Sequence, residues 1–261
     1  MQWLTAGRGV SHAEMFPLTV SAEEVAKDPP DSGFSANAMK FYQLWLNLPR
    51  KNKMCDPAFK MLWGETVPVL RGGEGGSGSA LEATEGAAVT VVAGTMPGAP
   101  APPTPPPDSW ASEPASAVRI WVIRLAAADD RVTLPAEADA KGINRQLLFV
   151  SGPSVIVDGR SLSTPSEIDL DAGEACVVAH GGGGVGEVEA LLLQGRAIGE
   201  PVVQHGPFVG NTREDIAKAF EDYRSGSFGL WPWKSSQPIL PLKAGRHAIL
   251  ADGTEDRPPT E

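Results

Sequence analysis

Histidine and cysteine are scarce in this chain of 261 residues, with four of the first and two of the second. Cys55 and Cys176 lie far apart in unlike contexts. Two cysteines make no disulfide framework, so a reducing compartment is the expectation. There is no Cys-x-x-Cys, no Ser–His–Asp arrangement and no His-x-His pair. No apolar run approaches the length of a membrane span and no secretory leader precedes the first structured residues, which predicts a soluble, intracellular protein. The formal net charge of −10 argues against nucleic acid held on a broad basic face, because phosphate contacts need clustered lysine and arginine. One short basic cluster, Arg50-Lys51-Asn52-Lys53, reads as a solvated loop. The glycine run Gly181–Gly184 is followed by a strand-like Val185–Leu193. It lacks the Lys-Ser or Lys-Thr and the helix of a phosphate loop, and reads as a flexible hairpin.

What is present reads as short strands separated by turns. Gln2-Trp3-Leu4-Thr5 has the pattern of a strand with no cap before it, which predicts a fragment or a mis-assigned start. Apolar residues run almost continuously from Asn37 to Pro49, as in a strand buried on both faces. Ala87–Ala93 is a further strand, after a glycine-rich break at Gly72–Gly78. Pro97, Pro100, Pro102, Pro103, Pro105, Pro106 and Pro107 preclude a helix or an inner strand, and predict an extended linker over 97–117. Beyond it come Val118–Leu125, Gln146–Ser151, Val155–Val157 with an Asp158-Gly159 turn, Ala175–Ala179 and Glu187–Leu193, a spacing that suits a barrel or sandwich. One segment has helical signals. Thr212 is an N-cap candidate with Asp215 three residues on, Ile216, Ala219, Phe220 and Tyr223 recur at helical spacing, and Gly226 ends the run.

Several of these segments, in this order, resemble the pirin family of the cupin superfamily. Gln2-Trp3-Leu4-Thr5-Ala6-Gly7-Arg8-Gly9-Val10-Ser11-His12-Ala13-Glu14-Met15 is similar to that family's second metal-binding motif. Gln43-Leu44-Trp45-Leu46-Asn47-Leu48-Pro49 with Lys53-Met54, the run Gly199 to Val209 with Asn211-Thr212-Arg213-Glu214, and Asp222-Tyr223-Arg224 to Trp231-Pro232-Trp233 also match. The resemblance implies an all-β fold of double cupin β-barrels, the first incomplete, with one C-terminal helix and a Pro/Ala-rich linker. It divides the chain into a partial N-terminal cupin at 1–96 with a glycine-rich insert at 71–79, the linker at 97–117, and a C-terminal cupin at 118–198. An inter-domain segment and helix follow at 199–233, then a tail at 234–261. It further implies an iron held by three histidines and a glutamate, with His12 and Glu14 at two ligand positions. Glu14 would also be the base that takes a substrate proton. Quercetin 2,3-dioxygenase activity on a flavonol-like small molecule, a protein partner in transcriptional co-regulation, and a cytoplasmic or nuclear location are implied in the same way.

The residues themselves lend this limited support. On a strand, residues i and i+2 face the same way, so His12 and Glu14 can enter one barrel. Histidine with carboxylate suits non-haem iron. The family's upstream His-x-His pair has no counterpart among His12, His180, His205 and His247. Two ligands alone are expected to bind metal weakly, because binding must also order the site. A first barrel without its upstream strands is expected to expose apolar residues such as Trp3 and Trp45. Three readings result: a dioxygenase, a non-catalytic metal-dependent interaction protein, or an inactive truncated remnant.

Overall fold

In the computed structural model the described residues are 1–14, 16, 27, 39–73, 82–163, 165–229, 231, 234, 240, 242–250 and 252–260. The chain forms two compact units. One comprises Gln2–Met61 with Glu200–Glu261, the other Leu62–Gly199 with Met1. The chain opens in the first of these, where β1 (Gln2–Thr5) pairs antiparallel with β2 (Ala58–Met61), Gln2 opposite Met61 and Thr5 opposite Ala58.

The unit Leu62–Gly199 is made of two facing antiparallel sheets. Its strands are β3 (Val69–Arg71), β4 (Ala87–Ala93), β5 (Arg119–Leu125), β6 (Arg131–Leu134), β7 (Ile143–Ser151), β8 (Val155–Val157), β9 (Arg160–Leu162), β10 (Ser166–Leu170), β11 (Cys176–His180) and β12 (Val188–Arg196). Their order is β10-β7-β12-β5-β4-β3 in the larger sheet and β6-β11-β8-β9 in the smaller. Alternation sets which face is inward. On β5, Trp121, Ile123 and Leu125 are buried; on β7, Leu147 and Phe149; on β12, Val188, Ala190 and Leu192. These meet Val132, Leu134, Val155, Val157 and Val178 from the smaller sheet in one core. Fully burying a side chain of the size of Leu192 or Phe149 stabilises by about 1.5–3 kcal/mol. The Asp158-Gly159 turn joins β8 to β9 with both residues at positive φ, 46° and 80°, as a two-residue hairpin requires.

Two sequence expectations need correction. The proline-rich stretch does not separate one domain from another. It leaves β4 and returns to β5, and those strands are hydrogen-bonded neighbours in one sheet. Proline suits this route because its missing N–H and fixed φ cost nothing in a connection that joins no ladder. The connection is pinned to the barrel, with the Trp110 indole donating to the Arg196 carbonyl at 3.0 Å and Arg196 Nε donating to the Ala115 carbonyl at 3.0 Å. The boundary therefore falls at residues 61 and 62, and β3 and β4, expected within a 1–96 domain, belong to the barrel. Of the insert at 71–79, residues 74–79 lie outside the described residues.

Residues 39–49 form no strand. Phe41, Leu44, Trp45 and Leu46 are exposed there, because no neighbouring strand among the described residues pairs with them. The start of that expected strand, at Asn37, lies outside the described residues. Trp45 is exposed as expected, whereas Trp3 is half-buried.

After Gly199 the chain returns to the first unit. β13 (Val203–His205) and β14 (Phe208–Gly210) make a hairpin that leads into α1 (Arg213–Arg224). The short pair β15 (Ala248–Ile249) and β16 (Glu255–Asp256) follows. The Thr212 hydroxyl accepts the Asp215 N–H at 3.2 Å, and the Asp215 carboxylate accepts the Thr212 and Asn211 N–H groups, each at 2.9 Å. This is the capping box read from the sequence. Among the described residues no helix is long and apolar enough to cross a membrane.

The cap carries a pH signature. The N–H of Asn211, ahead of that of Thr212, holds the Asp215 carboxyl below the usual carboxylate range. A lowered folded pKa means this stabilisation is present above the unfolded carboxylate value of about 3.9 and is lost as pH falls through the lowered folded value. Thr212→Ala is expected to cost about 1 kcal/mol at neutral pH. Hydrogen exchange at the α1 amides checks that cost, and for Asp215→Asn it checks that the destabilisation seen at neutral pH disappears in acid.

Candidate functional site

The segment carrying His12 and Glu14 is fixed by two close backbone approaches. After β1 the chain turns at Gly7 (φ +51°), where a Cβ would lie 2.2 Å from the Cys55 carbonyl oxygen. At Gly9 (φ +115°) a Cβ would lie 2.3 Å from the Phe228 ring. Neither place admits a side chain. Arg8 N–H donates to the Cys55 carbonyl at 2.9 Å and Ser11 N–H to the Phe228 carbonyl at 3.2 Å, tying residues 7–11 to both ends of the unit.

His12 and Glu14 follow in irregular backbone rather than on the expected strand. Their side chains nevertheless converge, His12 Nδ1 standing 3.5 Å from Glu14 Oε1. Gln2 Nε2 approaches the same Nδ1 at 3.4 Å. Both side chains are well exposed, at 41% and 34%. Met15, the last residue of the motif, lies outside the described residues.

Two donors on an exposed segment do not make a metal site. Among the described residues no three His, Cys, Asp or Glu side chains cluster closely enough to hold an ion. Two of the other histidines, His180 and His205, are engaged elsewhere. His180 is buried, its Nδ1 accepts the Gly182 N–H at 3.0 Å and its Nε2 meets the Gly186 carbonyl at 2.9 Å, the pattern of a neutral ring with its proton on Nε2. It clasps the glycine loop between β11 and β12. His205 is exposed and meets the Phe220 ring edge to face at 5.5 Å. Burial pushes the Cys176 thiol up to about 12, ahead of a contribution from Asp158, so it offers no thiolate near neutral pH.

The other motif segments come together around Glu200. Its Oε2 accepts the Arg50 N–H at 2.6 Å and Asn211 Nδ2 at 3.2 Å. Lys53, in the basic cluster read as a solvated loop, is half-buried and donates to Asn47 Oδ1 at 2.6 Å. Burial lowers its pKa, with Glu200 and then Asp215 opposing. Asn47 and Lys53 from one motif, and Glu200, Asn211 and the adjoining Asp215 from the next, thus share one polar cluster. Next to it, Phe208 meets Phe220 at 4.9 Å and Phe228 at 5.8 Å, which seats α1. The end of the aromatic run, Pro232 and Trp233, lies outside the described residues.

A second charged cluster, which sequence reasoning missed, closes one end of the barrel. Arg119, Arg145 and Gln194 sit at inward positions of the adjacent strands β5, β7 and β12. Glu137, from the connection after β6, faces them. Glu137 Oε1 lies 2.5 Å from Arg119 Nη2, 3.6 Å from Arg145 Nη2 and 2.7 Å from Gln194 Nε2. Arg145 Nε donates to Gln194 Oε1 at 2.6 Å, and its other nitrogens reach the carbonyls of Pro135 and Glu174. The signal was legible: in Arg119-x-Trp121-x-Ile123-x-Leu125 and Arg145-x-Leu147-x-Phe149 the arginine has the parity of the core.

Comparison with known proteins bears on both units. A family described as the pirin C-terminal cupin domain matches residues 123–229. A Pseudomonas aeruginosa protein provisionally named a quercetin 2,3-dioxygenase is 32% identical over 233 residues, covering 87% of this chain and 66% of that protein. A pirin-like protein of Caulobacter vibrioides is 30% identical over 229 residues, covering 87% and 67%. Rat pirin is 28% identical over 240 residues, covering 90% and 68%. The chain thus spans about two thirds of the length of these relatives. A crystal structure of quercetin 2,3-dioxygenase from Acinetobacter baumannii superimposes with a TM-score of 0.55 at 22% identity, covering 71% of this chain and 55% of that one, a likeness of fold.

Proposed function

Because this chain belongs to the pirin family, we propose that it works as a metal-dependent bicupin acting on flavonol-like aromatics as a quercetin 2,3-dioxygenase. Iron is the proposed metal, and His12 and Glu14 are two of its donors; the family's upstream His-x-His pair has no counterpart among the four histidines of this chain. One imidazole and one carboxylate are a donor pair suited to iron and oxygen chemistry. The observation that carries the reading is the approach of His12 to Glu14 at 3.5 Å, on the motif that Gly7 and Gly9 lock in place. Glu14 is exposed enough to meet a substrate hydroxyl and to accept its proton at Oε1. The provisional name of the Pseudomonas aeruginosa relative supports the substrate class.

Iron content by elemental analysis and aerobic consumption of quercetin test this together. His12→Ala and Glu14→Ala are each expected to lower retained iron and turnover by at least about tenfold, the least that loss of a metal's supporting group removes. Equal iron and equal turnover in wild type and both variants would sink the reading. Iron without turnover in the wild type favours a second reading, a metal-dependent interaction protein with a co-regulatory role. The exposed side chains of Phe41, Leu44, Trp45 and Leu46 favour it, since an apolar run of this kind marks a contact surface. Partner affinity that follows the oxidation state of the metal separates the two.

A further inference from the structure

The charged end of the barrel, which the metal reading does not use, is short of acceptors. Arg119 and Arg145 bring two guanidinium groups, and Glu137 is the carboxylate in contact with both. The Arg145 side chain is 1% exposed and its donors reach Gln194, Glu137 and two carbonyls. Gln194 accepts from Arg145 Nε on its oxygen and is shared between Ala117 and Glu137 on its nitrogen. Arg119 is different. Its Nη2 pairs with Glu137, but its Nη1 is buried without a partner. Directly beside it, Trp121 is 1% exposed and its indole Nε1 is likewise buried without a partner.

The two orphaned donors belong to groups in contact, because the Arg119 guanidinium carbon lies 5.0 Å from the Trp121 ring. A buried N–H left unpaired is destabilising, and more so when the group is charged. Two such donors on touching groups, one of them on a cation that shares Glu137 with a second cation, suit an anion with two acceptor atoms. Burial, ahead of the opposing influence of Glu137, lowers the pKa of both arginines. Arg119 depresses Arg145 further through its like charge, with Asp171 acting on Arg145 in the opposite sense. Arg119 keeps 13% exposure and Glu137 14%, so the cluster lies just under the surface.

We propose that this end of the C-terminal barrel is a binding site for a small carboxylate, whose oxygens accept from Arg119 Nη1 and Trp121 Nε1. Carboxylate fits better than a larger anion for two reasons. Its two oxygens match the two unpartnered donors, and a single negative charge brings the two guanidiniums and one glutamate to balance. The binding is independent of any metal.

The test is a titration of the intact chain with sodium acetate, with sodium chloride at matched ionic strength as control, read at the indole N–H resonance of Trp121. Trp121→Phe identifies that resonance by its loss. The expected result is a saturable shift with acetate and none with chloride. Arg119→Lys keeps the charge facing Glu137 but removes the fork, and is expected to weaken acetate binding by about tenfold. Calorimetry on Trp121→Phe, which keeps Arg119 and the core, is expected to show binding weakened several-fold. A resonance that acetate leaves unmoved, that moves equally with chloride, or that cross-relaxes with a bound water retained at saturating acetate would overturn the proposal. Equal acetate affinity in wild type, Arg119→Lys and Trp121→Phe would do the same.

Discussion

Glu137→Ala is expected to destabilise the Leu62–Gly199 unit by about 3 kcal/mol, the lower end of the range for removing one partner of a buried ion pair. The lower end applies because Glu137 keeps 14% exposure, so water relieves some of the loss. Removing the carboxylate strands two guanidiniums at inward positions on either side of Gln194, one of them 1% exposed, and deprives Gln194 Nε2 of one of its two acceptors. Arg119→Met in the Glu137→Ala background is expected to recover some of the loss, because a paired charge removed with its partner leaves a well-packed apolar replacement. Denaturant-dependent hydrogen exchange at the amides of β5, β7 and β12 reads this unit separately from the rest of the chain. A loss below about 1 kcal/mol, the size of an exposed pair, would show that solvent already reaches the cluster and that Glu137 holds nothing in place.

How much of this was legible in the sequence differed between the two units, for a physical reason. In the barrel, each strand finds its neighbours within the same stretch of chain, so local alternation and global fold agree. Ala87–Ala93 and Val155–Val157 are strands over the predicted spans, and the Asp158-Gly159 turn has the positive φ values it needs. Short strands such as Arg131–Leu134 and Arg160–Leu162 went unread because, unlike the all-aliphatic Val155–Val157, they set only one or two apolar residues among polar ones. The capping box of α1 was legible because Thr212 and Asp215 act on their own backbone.

The other unit was misread where sequence pattern stands in for partners. The apolar run before Pro49 has the composition of a two-sided buried strand, yet Trp45 is 56% exposed, since burial needs neighbours that composition alone does not supply. The proline-rich stretch was misread in the opposite sense. Its composition is that of a linker, but whether such a stretch joins two domains or two neighbouring strands is decided by the pairing of β4 with β5. At the candidate site the pair His12 and Glu14 was readable from its motif, and their side chains approach each other without the strand expected to align them. The Arg119–Glu137–Arg145–Gln194 cluster is the reverse case. Four residues from four stretches of the chain become one site only through sheet order, and the parity of the arginines was the sole local trace.

Phe149→Ala is expected to cost about 3–5 kcal/mol, the range for removing a large buried ring from a core. Phe149 is 2% exposed on β7, a strand paired on both edges, with Ser166 of β10 opposite it on one side and Ala190 of β12 on the other. Both directly opposite neighbours are small, so neither can lean over and fill the space. The register of β12 also shifts between Glu189 and Ala190, which fixes Ala190 against Phe149 and limits relaxation of that strand. The residual cavity, rather than the lost transfer energy alone, therefore sets the cost. Phe149→Leu retains most of the volume and is expected to lose less than half as much. Exchange of the β7 and β12 amides in denaturant checks both variants. Equal losses for alanine and leucine would mean that the fit of the ring, and not the volume it fills, holds these two strands together.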